Sequence, residues 1–233
     1  MKEIFKKYNI HLSDQQEGQL NKYFELLVEW NKKVNLTNIT EYEDVVWKHF
    51  LDSALIMLSN EWKNCKNAKI LDVGTGAGFP GLVLAILNSE KDFVLLDSLN
   101  KRVDFLNLVI RELQLENVNT YHGRAETYGR NIDFRNQFDF VVSRAVAELP
   151  VLMEYCIPFV RKDGYFVSYK GKKQKEEISL AQDAFIELGA TFELSEEYIL
   201  KEEEKRYLLF IKNNEITKEK YPRKEGKPKK KPL

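Results

Sequence analysis

Cysteine and histidine are scarce in this chain. Only two cysteines, Cys65 and Cys156, and three histidines occur among its 233 residues. Two thiols cannot form a disulfide framework, and no cysteine or histidine spacing is typical of a metal site. We therefore expect reduced, unreactive thiols, no bound metal and a cytoplasmic location.

Long hydrophobic runs are also missing. No apolar stretch reaches the roughly 18–20 residues that a membrane helix needs, and the charged residues 1–8 lack the apolar centre of a signal peptide. With 43% hydrophobic and 31% charged residues, the composition is that of a soluble globular protein. We expect a monomer with one domain and an extension, and no membrane partner.

Net charge is zero overall but unevenly distributed. Basic residues outnumber acids by six in residues 217–233 and by five in residues 161–175, whereas acids outnumber basic residues by nine in residues 176–204. Segregated basic charge favours a polyanionic partner such as nucleic acid. A solvated helix face or a disordered tail would produce the same pattern, so charge alone leaves the partner open.

The densest glycine segment, residues 72–81, reads DVGTGAGFPG. It follows a strand-like segment and precedes a helix-like one, an arrangement that brings backbone amides close to a bound nucleotide or nucleoside. The spacing Gly74-x-Gly76-x-Gly78 differs from the Gly-x-Gly-x-x-Gly of dinucleotide-binding proteins. It resembles the first motif of the S-adenosylmethionine-dependent methyltransferases, although a tight strand-to-helix turn remains the alternative.

Asp97 ends the next strand-like segment, nineteen residues after Gly78. An acid about 20 residues beyond a glycine loop is suited to binding ribose hydroxyls. The loop, the acid and their strand context together predict a nucleoside cofactor.

Strand and helix patterns alternate from residue 68 onward. The predicted strands are 69–73, 92–97, 118–122, 138–143, 164–169, 190–199 and 205–212, and the predicted helices are 80–88, 100–114, 125–130, 148–160 and 174–188. This alternation predicts an α/β, Rossmann-like fold with a seven-stranded, mostly parallel sheet and an antiparallel edge hairpin.

Two helices with apolar faces precede this region. Each begins at a predicted capping box, Ser13 with Gln16 and Thr40 with Glu43. We expect an N-terminal helical extension packed on the core (residues 1–66), a catalytic domain (67–213) and a basic, irregular C-terminal tail (214–233).

In an open parallel sheet, ligands bind beyond the carboxyl ends of the strands. This rule selects residues 74–79, 97–99, 123–126, 143–145 and 170–171. Ala125 could pack on an adenine face, and Glu126 could bind the exocyclic amine or serve only as a helix-start acid. Phe79 could contact the cofactor or fill space between helix and sheet. Arg144 follows a core strand and needs a partner, which is either a ligand or a structural salt bridge.

His49 and Asp52 lie three residues apart in the second predicted helix. They could form an acid–base couple, although a hydrogen-bonded structural pair is the commoner arrangement. No Ser–His–Asp array stands out. Methyl transfer to an available lone pair, such as guanine N7, needs in-line positioning rather than a strong base, and Arg or Lys could orient the guanine O6.

These residues resemble the glucose-inhibited division B family of bacterial methyltransferases. The matching motifs are Asn35-Leu36-Thr37, His49-Phe50-Leu51-Asp52-Ser53, the 72–81 loop, Leu96-Asp97-Ser98, Lys101-Arg102, Gly123-Arg124-Ala125-Glu126, Ser143-Arg144-Ala145, Lys170-Gly171 and the tail from Tyr221 to Leu233. The resemblance implies a class I S-adenosylmethionine-dependent enzyme that methylates N7 of a guanine, position 527 of 16S ribosomal RNA. Its partner would be that RNA or the small ribosomal subunit.

The resemblance also implies roles for individual residues. Cofactor contacts are expected at Gly74, Gly76, Gly78, Phe79, Asp97, Ser98, Leu99, Ala125, Glu126 and Arg144, and catalytic roles at Arg144 and Lys170. RNA contacts are expected at Lys101, Arg102, Lys172, Lys173, Arg223, Lys224, Lys229, Lys230 and Lys231, and they should weaken with salt.

Three other functions remain open at this point. A small-molecule methyltransferase would share the cofactor half of the site but would not need the basic tail. A nicotinamide-dependent oxidoreductase would need the other glycine spacing, and an RNA-binding module that retains only the fold would turn over no cofactor.

Overall fold

The seven strands of the computed structural model form one mixed sheet. The structure describes residues 1–233, apart from the side chain of Glu202. The strands are β1 (Lys69–Val73), β2 (Asp92–Asp97), β3 (Val118–His122), β4 (Phe138–Arg144), β5 (Val160–Lys170), β6 (Ala190–Ile199) and β7 (Lys205–Asn213). Their order in the sheet is β3-β2-β1-β4-β5-β7-β6.

Strands β1 to β5 are parallel, whereas β7 runs antiparallel to both β5 and β6. The chain moves outward from β1 through β2 to β3 and then returns to place β4 on the other side of β1. This reversal of strand order opens a crevice at the carboxyl ends of β1 and β4. The predicted fold class, including the antiparallel edge hairpin, is confirmed.

Helices flank the sheet and precede it. Those of the N-terminal extension are α1 (Lys2–Lys6), α2 (Asp14–Asn31), α3 (Tyr42–Val45), α4 (Asp52–Ala54) and α5 (Asn60–Asn64), with a π-helical turn at Val46–Leu51 and a 3-10 turn at Leu55–Leu58. Those of the remaining chain are α6 (Gly81–Leu87), α7 (Asn100–Glu112), α8 (Ala125–Tyr128), α9 (Leu149–Cys156), α10 (Gln174–Leu180), α11 (Gln182–Leu188) and α12 (Lys227–Lys230).

The N-terminal extension shares one hydrophobic core with the sheet. Phe5, Leu20, Tyr23 and Phe50 are fully buried and belong to the same apolar cluster as the residues of α6 and α7. The capping box predicted at Ser13 is present, because Ser13 accepts from the Gln16 amide and Gln16 reaches back to the Ser13 amide. This packing fixes the extension against the crevice.

Several predicted element bounds are wrong. The helix predicted at 148–160 ends at Cys156, because Pro158 lacks a backbone donor and lies in a 3-10 turn. Strand β5 therefore begins at Val160, with a register irregularity in its pairing with β4. The predicted helix 174–188 is broken at Ala181. Glu41, rather than Thr40, precedes α3, without a side-chain cap.

The C-terminal tail is packed against the catalytic domain. Most of it lacks regular secondary structure, as predicted, but Thr217 and Tyr221 are buried and α12 forms near its end. The Arg135 guanidinium donates to the carbonyls of Thr217 and Tyr221 at 2.6 and 2.7 Å. These bonds hold the tail beside α8 and α9, so it is more than a loosely attached basic arm.

Candidate active site

The glycine loop after β1 adopts backbone dihedral angles that are unfavourable for residues other than glycine. Gly74, Gly76 and Gly78 have φ angles of 72°, 62° and 104°. A Cβ on Gly78 would lie 2.5 Å from the Tyr23 hydroxyl, whereas a Cβ on Gly76 would meet no atom closer than 4.0 Å. The loop is thus packed tightly on its inner side and open above Gly76.

Asp72 stabilises the conformation of the glycine loop. Its Oδ2 accepts a hydrogen bond from the Gly81 amide at 2.7 Å, at the start of α6. Burial raises the pKa of this carboxyl to about 7. The Tyr23 hydroxyl donates to the Ala77 carbonyl from the opposite side. The acid that precedes the glycines therefore supports the loop and does not line the crevice.

Asp97, at the end of β2, is the acid that faces the crevice. Its Oδ2 accepts from the Gly76 amide at 2.8 Å, and its Oδ1 accepts from the Leu99 amide at 2.9 Å. Arg102 donates to it from α7 at 3.3 Å. A carboxylate offers about four acceptor positions, so these bonds orient Asp97 and leave capacity for ribose hydroxyls.

The crevice is a cleft with two connected parts. The larger, about 1290 Å³, extends from Asp97 past Phe79 and Arg144 to Lys170. The smaller, about 630 Å³, lies over the loop after β3. Both parts are lined by Gly74, Ser98, Val146, Ala147 and Glu148, so they adjoin along these residues.

Most predicted cofactor residues line this cleft. They are Gly74, Gly76, Phe79, Asp97, Ser98, Ala125, Glu126 and Arg144. Gly78 is not among the lining residues, because its missing side chain makes room for Tyr23. Leu99 contributes its backbone amide to Asp97, while its side chain is exposed. The open space above Gly76 and the orienting bonds on Asp97 fit a nucleoside with a free ribose.

Arg144 forms a structural salt bridge, which is one of the two kinds of partner that the sequence predicts for it. Its Nη1 donates to Asp52 Oδ2 at 2.6 Å, and its guanidinium carbon lies 5.2 Å from the centroid of the Phe79 ring. Asp52 is almost fully buried and also lies 3.3 Å from the Arg206 Nε. The Arg144 side chain still reaches the cleft, so a structural ion pair and a ligand contact are compatible.

His49 joins the same cluster rather than pairing with Asp52. Its ring stacks on Phe79 with centroids 4.4 Å apart, and its Nε2 lies 2.9 Å from the Thr37 hydroxyl. Burial, reinforced by the Arg144 charge, lowers the pKa of His49 to about 3. The imidazole is therefore neutral at physiological pH and is a weak base.

Lys170 lies across the cleft at the end of β5. Its ammonium donates to the Ala147 carbonyl at 3.0 Å and forms an ion pair with Glu177 of α10. Glu177 also accepts from the Leu149 amide at 2.8 Å, which ties the loop after β4 to α10. Lys170 thus holds one wall of the cleft while remaining among its lining residues.

The predicted RNA contacts fall into two groups. Exposed side chains that could reach phosphates belong to Lys101, Lys172, Lys173, Lys224, Lys229, Lys230 and Lys231. Arg102 is half-buried and bonded to Asp97, and the Arg223 guanidinium is bonded to the buried Glu154. We therefore leave Arg223 out of the proposed RNA surface.

Sequence reasoning missed four residues that shape the site: Tyr23, Glu154, Glu177 and Arg206. Glu154 had a usable signal, because it is the one acid in the otherwise apolar segment LPVLMEYC and such a charge needs a buried partner. Arg206 lies on the antiparallel strand β7, outside the strand ends that the parallel-sheet rule considers.

No group of three or more His, Cys, Asp or Glu in the part of the chain described here is arranged to hold a metal ion. Among the described helices, none is long and apolar enough to cross a membrane.

Solved structures with the same fold include a ribosomal protein methylase and the protein TrmN. The ribosomal protein L11 methylase of Lactobacillus delbrueckii subsp. bulgaricus matches with a TM-score of 0.54 and 16% identity, over 72% of this chain and 79% of that one. TrmN from Thermus thermophilus gives 0.52 and 13% identity, over 70% and 48%. These likenesses show that the chain has the fold of these two proteins.

Sequence comparison assigns the chain to one family. The family model for rRNA small subunit methyltransferase G matches residues 16–207. Proteins of that name from Clostridium tetani and Lactococcus lactis are 49% and 45% identical, over 91% and 97% of this chain and 88% and 95% of theirs. The chain belongs to the rRNA small subunit methyltransferase G family, as its motifs predicted.

Proposed function

We propose that this chain transfers a methyl group from S-adenosylmethionine to N7 of a guanine in 16S ribosomal RNA. The observation that carries the proposal is the composition of the cleft. The larger part holds an oriented acid and open glycine backbone for a nucleoside at one end, and neutral His49, Arg144 and Lys170 beyond them. The family name of the relatives supports ribosomal RNA as the acceptor.

Different residues of the cleft would contact different parts of the cofactor. Asp97 would accept from the ribose hydroxyls, and the Gly74 to Gly76 backbone would lie against the cofactor. When bound, S-adenosylmethionine supplies an electrophilic methyl group on its sulfonium. Phe79 contacts both His49 and the Arg144 guanidinium, so its ring would present a fixed apolar surface within the larger part of the cleft.

Among the described side chains near Arg144 we find no strong base, which suits a nucleophile that carries a free lone pair. Among the described residues of this wall, His49 has a pKa of about 3 and Asp52 is held by Arg144 and Arg206. Guanine N7 attacks without losing a proton, so orientation of the base is the main requirement. Arg144 or Lys170 would donate to the guanine O6, which leaves N7 free.

The remaining functional predictions are part of this proposal. We propose a cytoplasmic monomer without a resident metal, organised as an extension (1–66), a catalytic domain (67–213) and a tail (214–233). The exposed lysines at positions 172 and 173, on the loop after β5, would contact RNA phosphates at the mouth of the cleft.

Transfer of a labelled methyl group tests the proposal. The acceptors are small-subunit particles and naked 16S RNA from cells that lack the family's enzyme, and the same preparations from wild-type cells serve as the control. We expect label in the unmodified RNA and little in the modified control. Equal labelling of both preparations, or none with cofactor binding intact, would contradict the proposal.

A further inference from the structure

The C-terminal tail reaches the smaller part of the cleft. Lys229 and Pro232 line this 630 Å³ cavity together with Ala125 and Glu126 at the start of α8. Asp97 fixes where the ribose would lie, at the end of β2, and β3 is the next strand outward. The nucleobase of a bound nucleoside would therefore extend toward the tail. This inference rests on the cofactor site of the proposed function.

A buried ion pair anchors the tail at this place. Glu154 of α9 is fully buried, and its carboxylate accepts from the Arg223 backbone amide at 2.7 Å and from the Arg223 Nε at 2.8 Å. The Arg223 Nη2 bonds both to Glu154 and, at 2.8 Å, to the Lys231 carbonyl. One guanidinium thus joins the catalytic domain to both ends of the segment 223–231.

A second contact connects the tail directly to a cleft residue. The Gly226 amide donates to Glu126 Oε1 at 3.0 Å, and Gly226 has a φ of 73°, which favours glycine. Arg124 and Glu225 add an exposed ion pair at 2.6 Å. Glu126 is therefore oriented by the tail, and its nearly buried carboxylate still lines the smaller part of the cleft.

Burial of the Glu154–Arg223 ion pair costs desolvation free energy, which a loosely attached arm that only binds phosphates would not incur. A buried carboxylate must be compensated by several donors, and here Arg223 supplies most of them. The exposed lysines of the tail could reach RNA without this anchor. The anchor instead fixes Lys229 and Pro232 over the cavity.

We propose that Arg223 is a positioning residue that holds the C-terminal segment 224–232 as the outer wall of the nucleobase end of the cofactor site. The wall excludes water from one face of the base, and the Gly226 amide orients Glu126 toward its edge. Loss of the wall weakens binding of the adenosine portion of a ligand and leaves the portion near Arg144 unaffected.

Calorimetry with S-adenosylhomocysteine and with adenosine tests this role without RNA. The first variant ends the chain after Lys224, which removes Lys229 and Pro232 but keeps the Arg223–Glu154 pair and so protects the fold. We expect Kd to rise about tenfold for both ligands, which is about 1.4 kcal/mol. Lys218→Ala, which removes an exposed charge from the same tail, is the control and should keep both values.

The anchor itself is tested with Arg223→Met combined with Glu154→Gln, since this pair of changes leaves no buried charge. Melting temperature is measured for each variant, and binding is compared well below it. Equal losses for adenosine and S-adenosylhomocysteine support the wall. Unchanged Kd values in the truncated and double variants, or a loss confined to S-adenosylhomocysteine, would overturn it. Because no RNA is present, either result is independent of the methyl-transfer test.

Discussion

Arg144 and Asp52 form an ion pair with 2.6 Å between Nη1 and Oδ2, and this pair links the last residue of β4 to the N-terminal extension. Both side chains are largely buried, and Asp52 also faces Arg206. The N-terminal extension therefore supplies part of the wall beside the proposed methyl-transfer site, where His49 and Thr37 also come from it.

This relationship predicts separable effects of Arg144 on stability and on transfer. Arg144→Ala leaves Asp52 without its main partner, so the free energy of unfolding should fall by about 3–5 kcal/mol. Arg144→Ala with Asp52→Asn should recover part of that loss, because no unpaired buried carboxylate remains. Denaturant unfolding measures both values.

Transfer activity should behave differently in the same two variants. We expect both to lose at least about 100-fold in kcat, because one of the two donors proposed for the guanine O6 is missing from each. If the double variant regained transfer together with stability, Arg144 would have only a structural role.

The buried imidazole of His49 predicts an acid-sensitive contribution to stability. Its pKa is about 3 in the folded protein against an ordinary value of 6.5, so only the unfolded chain takes up the proton between these values. The contribution is complete above pH 6.5 and is lost as the pH falls toward 3, at about 1.4 kcal/mol per pH unit at most.

His49→Gln provides the comparison, because glutamine is polar but does not titrate. The difference in unfolding free energy between the two proteins should change steadily between pH 6.5 and 4 as the wild type loses its advantage. A difference that stays constant over this range would show that His49 is not held neutral.

Asp97 should matter for cofactor binding more than for the fold. Asp97→Ala removes the acceptor proposed for the ribose, and we expect Kd for S-adenosylhomocysteine to rise at least about tenfold. Asp104→Ala, which removes an exposed acid from α7, should bind normally. Calorimetry below the melting temperature of each variant measures these Kd values. Wild-type affinity in Asp97→Ala would exclude the ribose contact.

Lys172 and Lys173 should increase RNA affinity through their positive charge and should take no part in the methyl-transfer step. With both changed to glutamine, RNA affinity should fall, and the slope of log K against log salt should decrease by about 1–2. Lys66→Gln with Lys69→Gln removes two exposed lysines at the amino end of β1, away from the carboxyl ends of the strands, and should leave the slope unchanged. Equal slopes for the wild type and the two double variants would show that this loop does not contact RNA.

The sequence predicts the parallel core of this protein closely, because hydrophobic runs and turn residues are local signals. The predicted bounds of β1, β2, β3 and β6 agree with the structure. Helix ends were less well predicted, because the break at Ala181 and the early end at Cys156 depend on packing and on Pro158.

Within the site, the strand-end rule located Asp97 and Arg144 but not their partners. Asp52, Arg206 and Glu154 act through contacts with residues more than 50 positions away in the chain, and no local pattern encodes such a pairing. The tail shows the same limit, since its composition predicts a basic, irregular segment but gives no sign that Arg223 anchors it to a buried acid.

The identity of the methylated atom tests the central claim most directly. Small-subunit RNA labelled by this enzyme is treated with borohydride and aniline, which break the chain at 7-methylguanosine, and the cleavage position is mapped by primer extension. We predict one enzyme-dependent cleavage in 16S RNA, absent when Arg144→Ala is used. Labelled RNA that resists this cleavage would place the methyl group on another atom and contradict the account of a nucleophile that needs no base.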